Sequence, residues 1–475
     1  MNILFQRIKN KAEDLFGVDL RSLALFRICI ALLIIVDLLQ RISDFSAFYT
    51  TSGILPIQLI EKVYHHGDKY ISVHMLNDSF KFQLTLFIIA LFSSVALLIG
   101  VFTRFFTIIL WFLTLSLHVR SPWYQIGGDE LIRMMLFWSI FLPLNARFSI
   151  DTKFFNSFSG TRILSISSLA ILLQVVLIYW VSFIAKIKSA DWINGDAIYY
   201  VLSNENQATS FGQYLFQHHN LLKFLTYATL VFEVLGPLLL FSPFFTSTIR
   251  TLMIITFVFF HICIGSCLEL TIFPWVSSIS MIPFLPSKIW NIFPRRSGLA
   301  NVYGSTIYSP ISINLLASCF LLLLLSWNSS IIKPEFKLDR KVIYLAKILK
   351  FDTGWVMYSN PAHLSFWYFI PGKLKDGSLV NLKNFKNELH FEKPNIPSSD
   401  YKNRNWRRFI GSLIQKRDPD LFKSYSDYLC TKWNSTNTGN KQLEYLSIIM
   451  YLKKQLINYN SEGPYPTKIW SYKCK

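Results

Sequence analysis

Apolar runs separated by short charged segments fill the first 330 or so residues. Nine of them read as candidate membrane helices: Leu23–Leu39, Phe82–Ile99, Phe105–Leu117, Leu131–Leu144, Ser167–Ala185, Leu222–Phe241, Leu252–Cys267, Ile272–Leu285 and Ile311–Trp327. A hydrocarbon core needs about 20 apolar residues per helix, so the third, fourth and eighth runs are short, and the count is about nine. Before them, Met1–Asp19 alternates charged residues with Phe5, Ile8, Leu15 and Phe16, the pattern of an amphipathic helix. Phe45–Lys81 is too polar to span and predicts a loop carrying a short helix, Pro56–His65.

After Trp327 the pattern changes. In Phe366–Leu382, β-formers flank a Lys375–Asp376–Gly377 turn, which predicts a hairpin. Helices are expected at Trp406–Gln415 and Leu421–Trp433, while Leu443–Tyr459 fits either a strand or a helix. The expected organisation is a cytoplasmic amphipathic segment (1–21), an all-α polytopic membrane domain (22–330) and a smaller mixed α+β domain (331–475).

Composition agrees with a membrane protein: 52% of residues are hydrophobic and only 16% charged, against roughly 25% charged in soluble domains. Charge then sets the expected orientation. Arg7, Lys9, Lys11, Arg21, Arg104, Arg147, Lys153, Arg162, Arg250, Lys288, Arg295 and Arg296 fall on one side. The other side carries Arg120, Lys62, Lys69, Lys186 and Lys188, so the amino terminus is expected in the cytoplasm. An odd number of spans in the cell (inner) membrane then makes the tail extracytoplasmic. From Ile331 onward there are 25 Lys+Arg against 12 Asp+Glu, a net +13 of the chain's +19. Such a surface suits anionic membrane lipids or an acidic secreted peptide, and an extracytoplasmic location argues against nucleic acid. The six cysteines show no metal-ligand spacing, and no metal site is expected. Cys430 and Cys474 are the tail's two cysteines, and an oxidising compartment would pair them.

Candidate chemistry centres on Ile178–Leu202, where an apolar run ends in Lys186 and Lys188 before Asp191–Trp192. Either both lysines reach to head groups beside an interfacial Trp192, or one amine is held partly desolvated and acts as a base. Charges at membrane depth need a partner or a task, since each costs roughly 2.5–3.5 kcal/mol on insertion scales. Arg27, Asp37, Arg133, Glu233 and His261 are such groups, and Glu233 is a candidate partner for Arg27. Gly127–Gly128–Asp129–Glu130 reads as a helix cap, with Arg133 one turn on as a local ion-pair partner. His261 can shuttle protons or simply be hydrogen bonded. These residues by themselves name no reaction.

Several stretches together resemble the membrane domain shared by vitamin K-dependent gamma-carboxylases and bacterial relatives, the HTTM (horizontally transferred transmembrane) family. They are Leu25-Phe26-Arg27, Tyr49-Thr50-Thr51-Ser52-Gly53-Ile54-Leu55-Pro56, Gly127–Arg133, the Lys186–Trp192–Gly195 segment, Phe232–Pro237 and Phe260-His261. The tail resembles bacterial members at Trp355-Val356-Met357-Tyr358, Trp406-Arg407 and Tyr428-Leu429-Cys430. The resemblance implies a reduced quinone of vitamin K type as cofactor, with Lys186 or Lys188 as its deprotonating base. It implies supporting roles for His261 and Glu233, and substrate-contacting or structural roles for Arg27, Asp129, Arg133, Asp191 and Trp192. Two departures bear on glutamate carboxylation. The animal enzymes carry a histidine after an asparagine where this chain reads Asn145-Ala146-Arg147, and the tail is shorter than their propeptide-binding region. The competing expectation is a non-catalytic membrane scaffold that matures a small secreted peptide.

Overall fold

The computed structural model describes residues 2–64, 70–154, 160–292, 306–385 and 392–474. The amino-terminal helix α1 (Asn2–Phe16) leads through a two-residue strand, β1 (Val18–Asp19), into α2 (Leu20–Ile42). Asp19 caps α2 by accepting from the Arg21 amide at 2.8 Å, which satisfies a backbone donor that the first turn leaves free. Helices α3 (Phe80–Ile99), α4 (Thr103–Arg120), α5 (Gly127–Ser139), α6 (Ile166–Lys186), α7 (Ala190–Asn194), α8 (Ala197–Ser203) and α9 (Ser210–Phe216) follow. Then come α10 (His219–Leu240), α11 (Thr246–Cys267), α12 (Phe273–Ser280) and α13 (Ile311–Ile332).

Among the described residues, six helices are long and apolar enough to cross a membrane: α2, α3, α6, α10, α11 and α13. At about 1.5 Å per residue their 20–23 residues reach roughly 30–35 Å, the thickness of a hydrocarbon core. Three of the expected spans are different in kind. Phe105–Leu117 lies in α4, an 18-residue helix whose Arg104, His118 and Arg120 keep it out of that set. Leu131–Leu144 becomes α5, only 13 residues long, of which 11 are buried. Ile272–Leu285 becomes the eight-residue α12 and a 3-10 turn, Ile282–Phe284, broken at Pro283. Of the two short helices, α5 is enclosed by its neighbours, so its apolar character reflects burial in protein, whereas α12 buries only one face and leaves Trp275 61% exposed.

A small sheet ties three distant segments together at the amino-terminal end of the bundle. There β1 pairs antiparallel with β2 (Arg162–Leu164), which pairs parallel with β3 (Thr306–Tyr308). The carboxy-terminal part sits at the opposite end, where α2 finishes. Arg404 donates to Asp37 at 2.8 Å, and the Trp406 indole donates to Asp44 at 2.9 Å. This part begins with α14 (Arg340–Leu349) and contains β4 (Leu364–Phe369), β5 (Pro371–Leu374), β6 (Leu379–Asn381), α15 (Arg404–Lys416), α16 (Pro419–Asn434), β7 (Leu443–Gln455) and β8 (Ser461–Lys473).

The expected hairpin turn is present as β5–β6, with Gly377 at φ +83° in the left-handed region that a β-carbon disfavours. Leu443–Tyr459, open between strand and helix, is the long strand β7 followed by a single turn, Ile457–Tyr459. Pairing decides it, because β7 takes β4, β5 and β8 as antiparallel neighbours. Cys430 in α16 is disulfide-bonded to Cys474 just beyond β8, with Cα atoms 5.7 Å apart. The apolar core is continuous between the two parts, running from Leu23 in α2 to Leu446 in β7.

Candidate functional site

Three helices build the site. Along α6, Tyr179, Ser182 and Lys186 are three and four residues apart and share one face, which packs against α10 and faces α11. From α10, Glu233 meets this face; from α11, His261 does. The Lys186 ammonium donates to Glu233 Oε1, and both side chains are buried. Ser182 Oγ stands 3.5 Å from the same carboxylate oxygen. The Lys186 Nζ also lies 4.7 Å from the centroid of the Trp192 ring, a cation–π contact. Trp192 is itself fixed by its indole N–H, which donates to the Tyr358 carbonyl at 2.8 Å. Two turns back along α6 from Lys186, the Tyr179 hydroxyl and His261 Nε2 are hydrogen bonded at 2.7 Å.

Two buried polar atoms here have no hydrogen-bond partner among the described residues: Glu233 Oε2 and His261 Nδ1. A buried polar group left unpaired costs about 1–3 kcal/mol, so an orphaned carboxylate oxygen and ring nitrogen in one place call for a partner from outside the chain. The space to hold one exists. Lys186, Glu233, His261, Ser182 and Tyr179 line a cavity of about 700 Å³ whose walls are otherwise mostly apolar, with Leu221, Leu225, Phe259, Phe260 and Ile264 among them. Such a pocket, apolar with a few convergent polar groups, has the form of a small-molecule site.

The other residues singled out from sequence have different surroundings. Lys188, two residues after Lys186, points away and is exposed, donating to the Ile332 carbonyl at 3.1 Å. Arg27 does not meet Glu233. It is buried at the amino-terminal end, where its guanidinium donates to the Leu144 and Phe148 carbonyls. The helix register gives Glu233 to Lys186 instead. Asp129 caps its helix, accepting from the Ile126 amide at 2.9 Å, and is ion-paired with Arg41 at 2.8 Å. Arg133 pairs with neither Asp129 nor Glu130. It contacts His118 Nδ1 at 2.9 Å and donates to the Lys350 carbonyl at 3.0 Å. Asp191 is 2.9 Å from His363 Nε2, and that imidazole stacks on Tyr200 at 3.7 Å. Of the candidates, then, Lys186, Glu233, His261 and Trp192 converge.

Sequence reasoning missed Tyr179, Ser182, Tyr358 and Arg408, which also line the cavity. The first two were legible as residues on the Lys186 face, at spacings of three and four. The last two come from the tail, and no pattern in the membrane helices announces them. Also missed was a buried charge cluster in which Asp37 and Asp129 are held by Arg41 and Arg404.

No curated protein and no solved structure matches the chain. A family model described as the HTTM domain matches residues 17–290, more than half of the sequence and all of the helices that build the cavity's polar end. The chain belongs to the HTTM domain family.

Proposed function

We propose that this membrane protein is an enzyme of the gamma-carboxylase-related kind that removes a proton from a lipid-soluble substrate at the Lys186–Glu233 pair. The observation that carries this reading is the pair's position. It is buried at a largely apolar cavity, with one carboxylate oxygen left unpartnered. Charged, the pair offers a carboxylate as base; as a neutral pair it offers an amine. Either way a proton acceptor faces space lined by Phe259, Phe260 and Leu225. Ser182 and the Tyr179–His261 pair hold the surrounding polar groups in place and provide a route for a displaced proton.

A reduced quinone of vitamin K type suits these residues: apolar walls for a ring and side chain, and an orphaned acceptor for an O–H. When bound, it would supply oxygen-dependent base chemistry that the chain's own side chains lack. The chain's part is to bind, exclude water and accept a proton at Lys186 Nζ or Glu233 Oε2. The proposal extends to topology: nine passages between the two ends of the bundle, three of them made by the segments that contain α4, α5 and α12. The amino terminus would be cytoplasmic and residues 331–475 an extracytoplasmic domain in the cell membrane.

The test is oxygen uptake by membranes supplied with reduced vitamin K. Lys186→Met and Glu233→Gln are expected to lower turnover by about 100-fold or more, the usual worth of a positioned proton acceptor. Lys188→Met should stay within about twofold. Wild-type turnover in Lys186→Met at normal membrane levels would falsify the reading.

One observation favours a second reading, a scaffold for a small secreted peptide. Strand β8 pairs only with β7 among the described strands, and its residues 461–468 are exposed. An open strand edge on a basic domain is a template for adding an acidic extended peptide. That reading gains if an acidic peptide cross-links to the tail equally in wild type and Lys186→Met while no quinol-dependent oxygen uptake is seen.

A further inference from the structure

The cavity has a second polar feature, which the proton-accepting pair does not explain. Arg408, in the first turns of α15, lines the cavity from the tail domain. Its two neighbours on that helix are engaged: Arg404 with Asp37, and Arg407 with the Glu269 carbonyl. Arg408 makes no hydrogen bond or ion pair with any described residue, and burial holds its guanidinium below the ordinary arginine value. The carboxylate whose charge acts on it, Asp129, is already committed to Arg41 at 2.8 Å. A second donor lies on the same lining. The Gln207 carbonyl oxygen accepts from the Tyr358 hydroxyl at 2.9 Å, leaving the Gln207 amide N–H groups without a described partner. A part-buried guanidinium and a spare amide donor, both neighbours of Tyr358 on the cavity lining, suit an anion, since arginine presents a rigid fork that matches an oxyanion.

The cavity also opens sideways. Phe211, Leu221 and Phe259 line it and are at the same time 50%, 41% and 65% exposed. They lie on α9, α10 and α11, and the last two of these helices are among the six long enough to cross a membrane. An opening framed by exposed apolar side chains on such helices faces lipid, so its visitor arrives from the bilayer.

We propose that the cavity binds an anionic amphiphile, with its carboxylate or phosphate head on Arg408 and Gln207 and its apolar tail running out between α10 and α11. The inference rests on the cavity being the substrate site: the quinol's O–H is assigned to the Lys186–Glu233 end, and the anionic amphiphile is a second occupant at the Arg408 end, which the proton-accepting pair leaves open. It also gives the tail domain a task in the membrane part, because it supplies the residue that recognises the head.

The experiment uses the full chain in nanodiscs of phosphatidylcholine, with empty nanodiscs subtracted. Radiolabelled dodecanoate should bind saturably to wild type. Arg408→Gln should weaken it at least tenfold, and Arg408→Lys, which keeps the charge but not the fork, should fall between. Dodecanol, with the same tail and no charge, should bind wild type and Arg408→Gln alike, which also shows that the variant's cavity is intact. Competition by dodecyl phosphate stronger than by dodecanoate would assign a phosphate head, and the reverse a carboxylate; both support an anion site. Equal dodecanoate affinity in wild type and Arg408→Gln, or dodecanol binding wild type as tightly as dodecanoate, overturns the proposal. Failure of the proton-transfer reading appears elsewhere, as undiminished turnover in Lys186→Met, and leaves these binding results standing.

Discussion

At the scale of single residues, helical phase separates two lysines that look equivalent in the sequence. Lys186 follows Tyr179 by seven residues and Ser182 by four, so it falls on their face. Lys188 is two residues further, about 200° around the helix. That was legible without coordinates. What it meets was not: Glu233 lies 47 positions away, and only the register between α6 and α10 brings it to the amine. The same holds for Arg41, which joins Asp37 one turn before it to Asp129 across 88 positions. Replacing Arg41 with Met takes the 2.8 Å partner from the buried Asp129 and leaves Asp37 to Arg404 alone, and a loss of about 3–5 kcal/mol is expected. Thermal unfolding in detergent, compared with an Arg21→Met control at the half-buried Asp19 pair, measures it. A tyrosine in the tail makes a pH prediction. The Tyr472 hydroxyl donates to Asp427, and that bond pushes its pKa up to about 12. A raised phenol keeps its contribution below the ordinary value of about 10 and loses it as pH rises through the folded value. Ultraviolet titration of wild type minus Tyr472→Phe should therefore show a phenolate transition near pH 12, moving down in Asp427→Asn.

At the scale of elements, hydrophobic periodicity located the long helices and misjudged the short ones. An apolar run of 13 or 14 residues reads the same whether lipid or protein surrounds it; α5 is surrounded by protein, and α12 is covered on one face. The contacts that admit them are tight. A β-carbon on Gly128 would lie 3.2 Å from the Phe273 Cα, which places α5 close against the start of α12. Closer still, a β-carbon on Gly212 would lie 2.2 Å from the Cys267 carbonyl oxygen, where α9 crosses the end of α11. Gly212→Ala must push these elements apart. It should cost about 1–3 kcal/mol, the range for overpacking, and speed maleimide modification of Cys267 beside the cavity. Unchanged thiol reactivity together with an unchanged melting temperature would contradict that packing. In the tail, the strand-or-helix ambiguity of Leu443–Tyr459 came from a segment whose strand, Leu443–Gln455, has partners on both edges, where pairing outweighs local propensity.

At the scale of the whole molecule, the amino-terminal helix and the tail occupy opposite ends of one bundle with a shared apolar core. If the membrane lies between them, an impermeant maleimide should label Ser435→Cys in intact cells, and Asn10→Cys only after permeabilisation. Labelling of both without permeabilisation would reject the proposed topology. The Cys430–Cys474 bond closes a loop of 44 residues in the tail. In the chain-entropy account, a loop of that size stabilises by about 4 kcal/mol. A Cys430→Ser, Cys474→Ser variant should lose thermal stability by an amount of that order, measured on the purified protein.

Residue order alone determined that this is a membrane protein, where most of its long helices run, which side chains at membrane depth required an explanation, and which family it resembled. Those features are local: length of an apolar run, phase around a helix, a charge where lipid penalises charge. Tertiary structure decided which charge answers which, that the apolar run of α5 is enclosed by protein, and that an arginine from the tail lines a cavity in the membrane part. Those depend on the register and crossing of elements far apart in the chain. No local pattern encodes them, because each partner is equally compatible with its own helix whichever neighbour it meets.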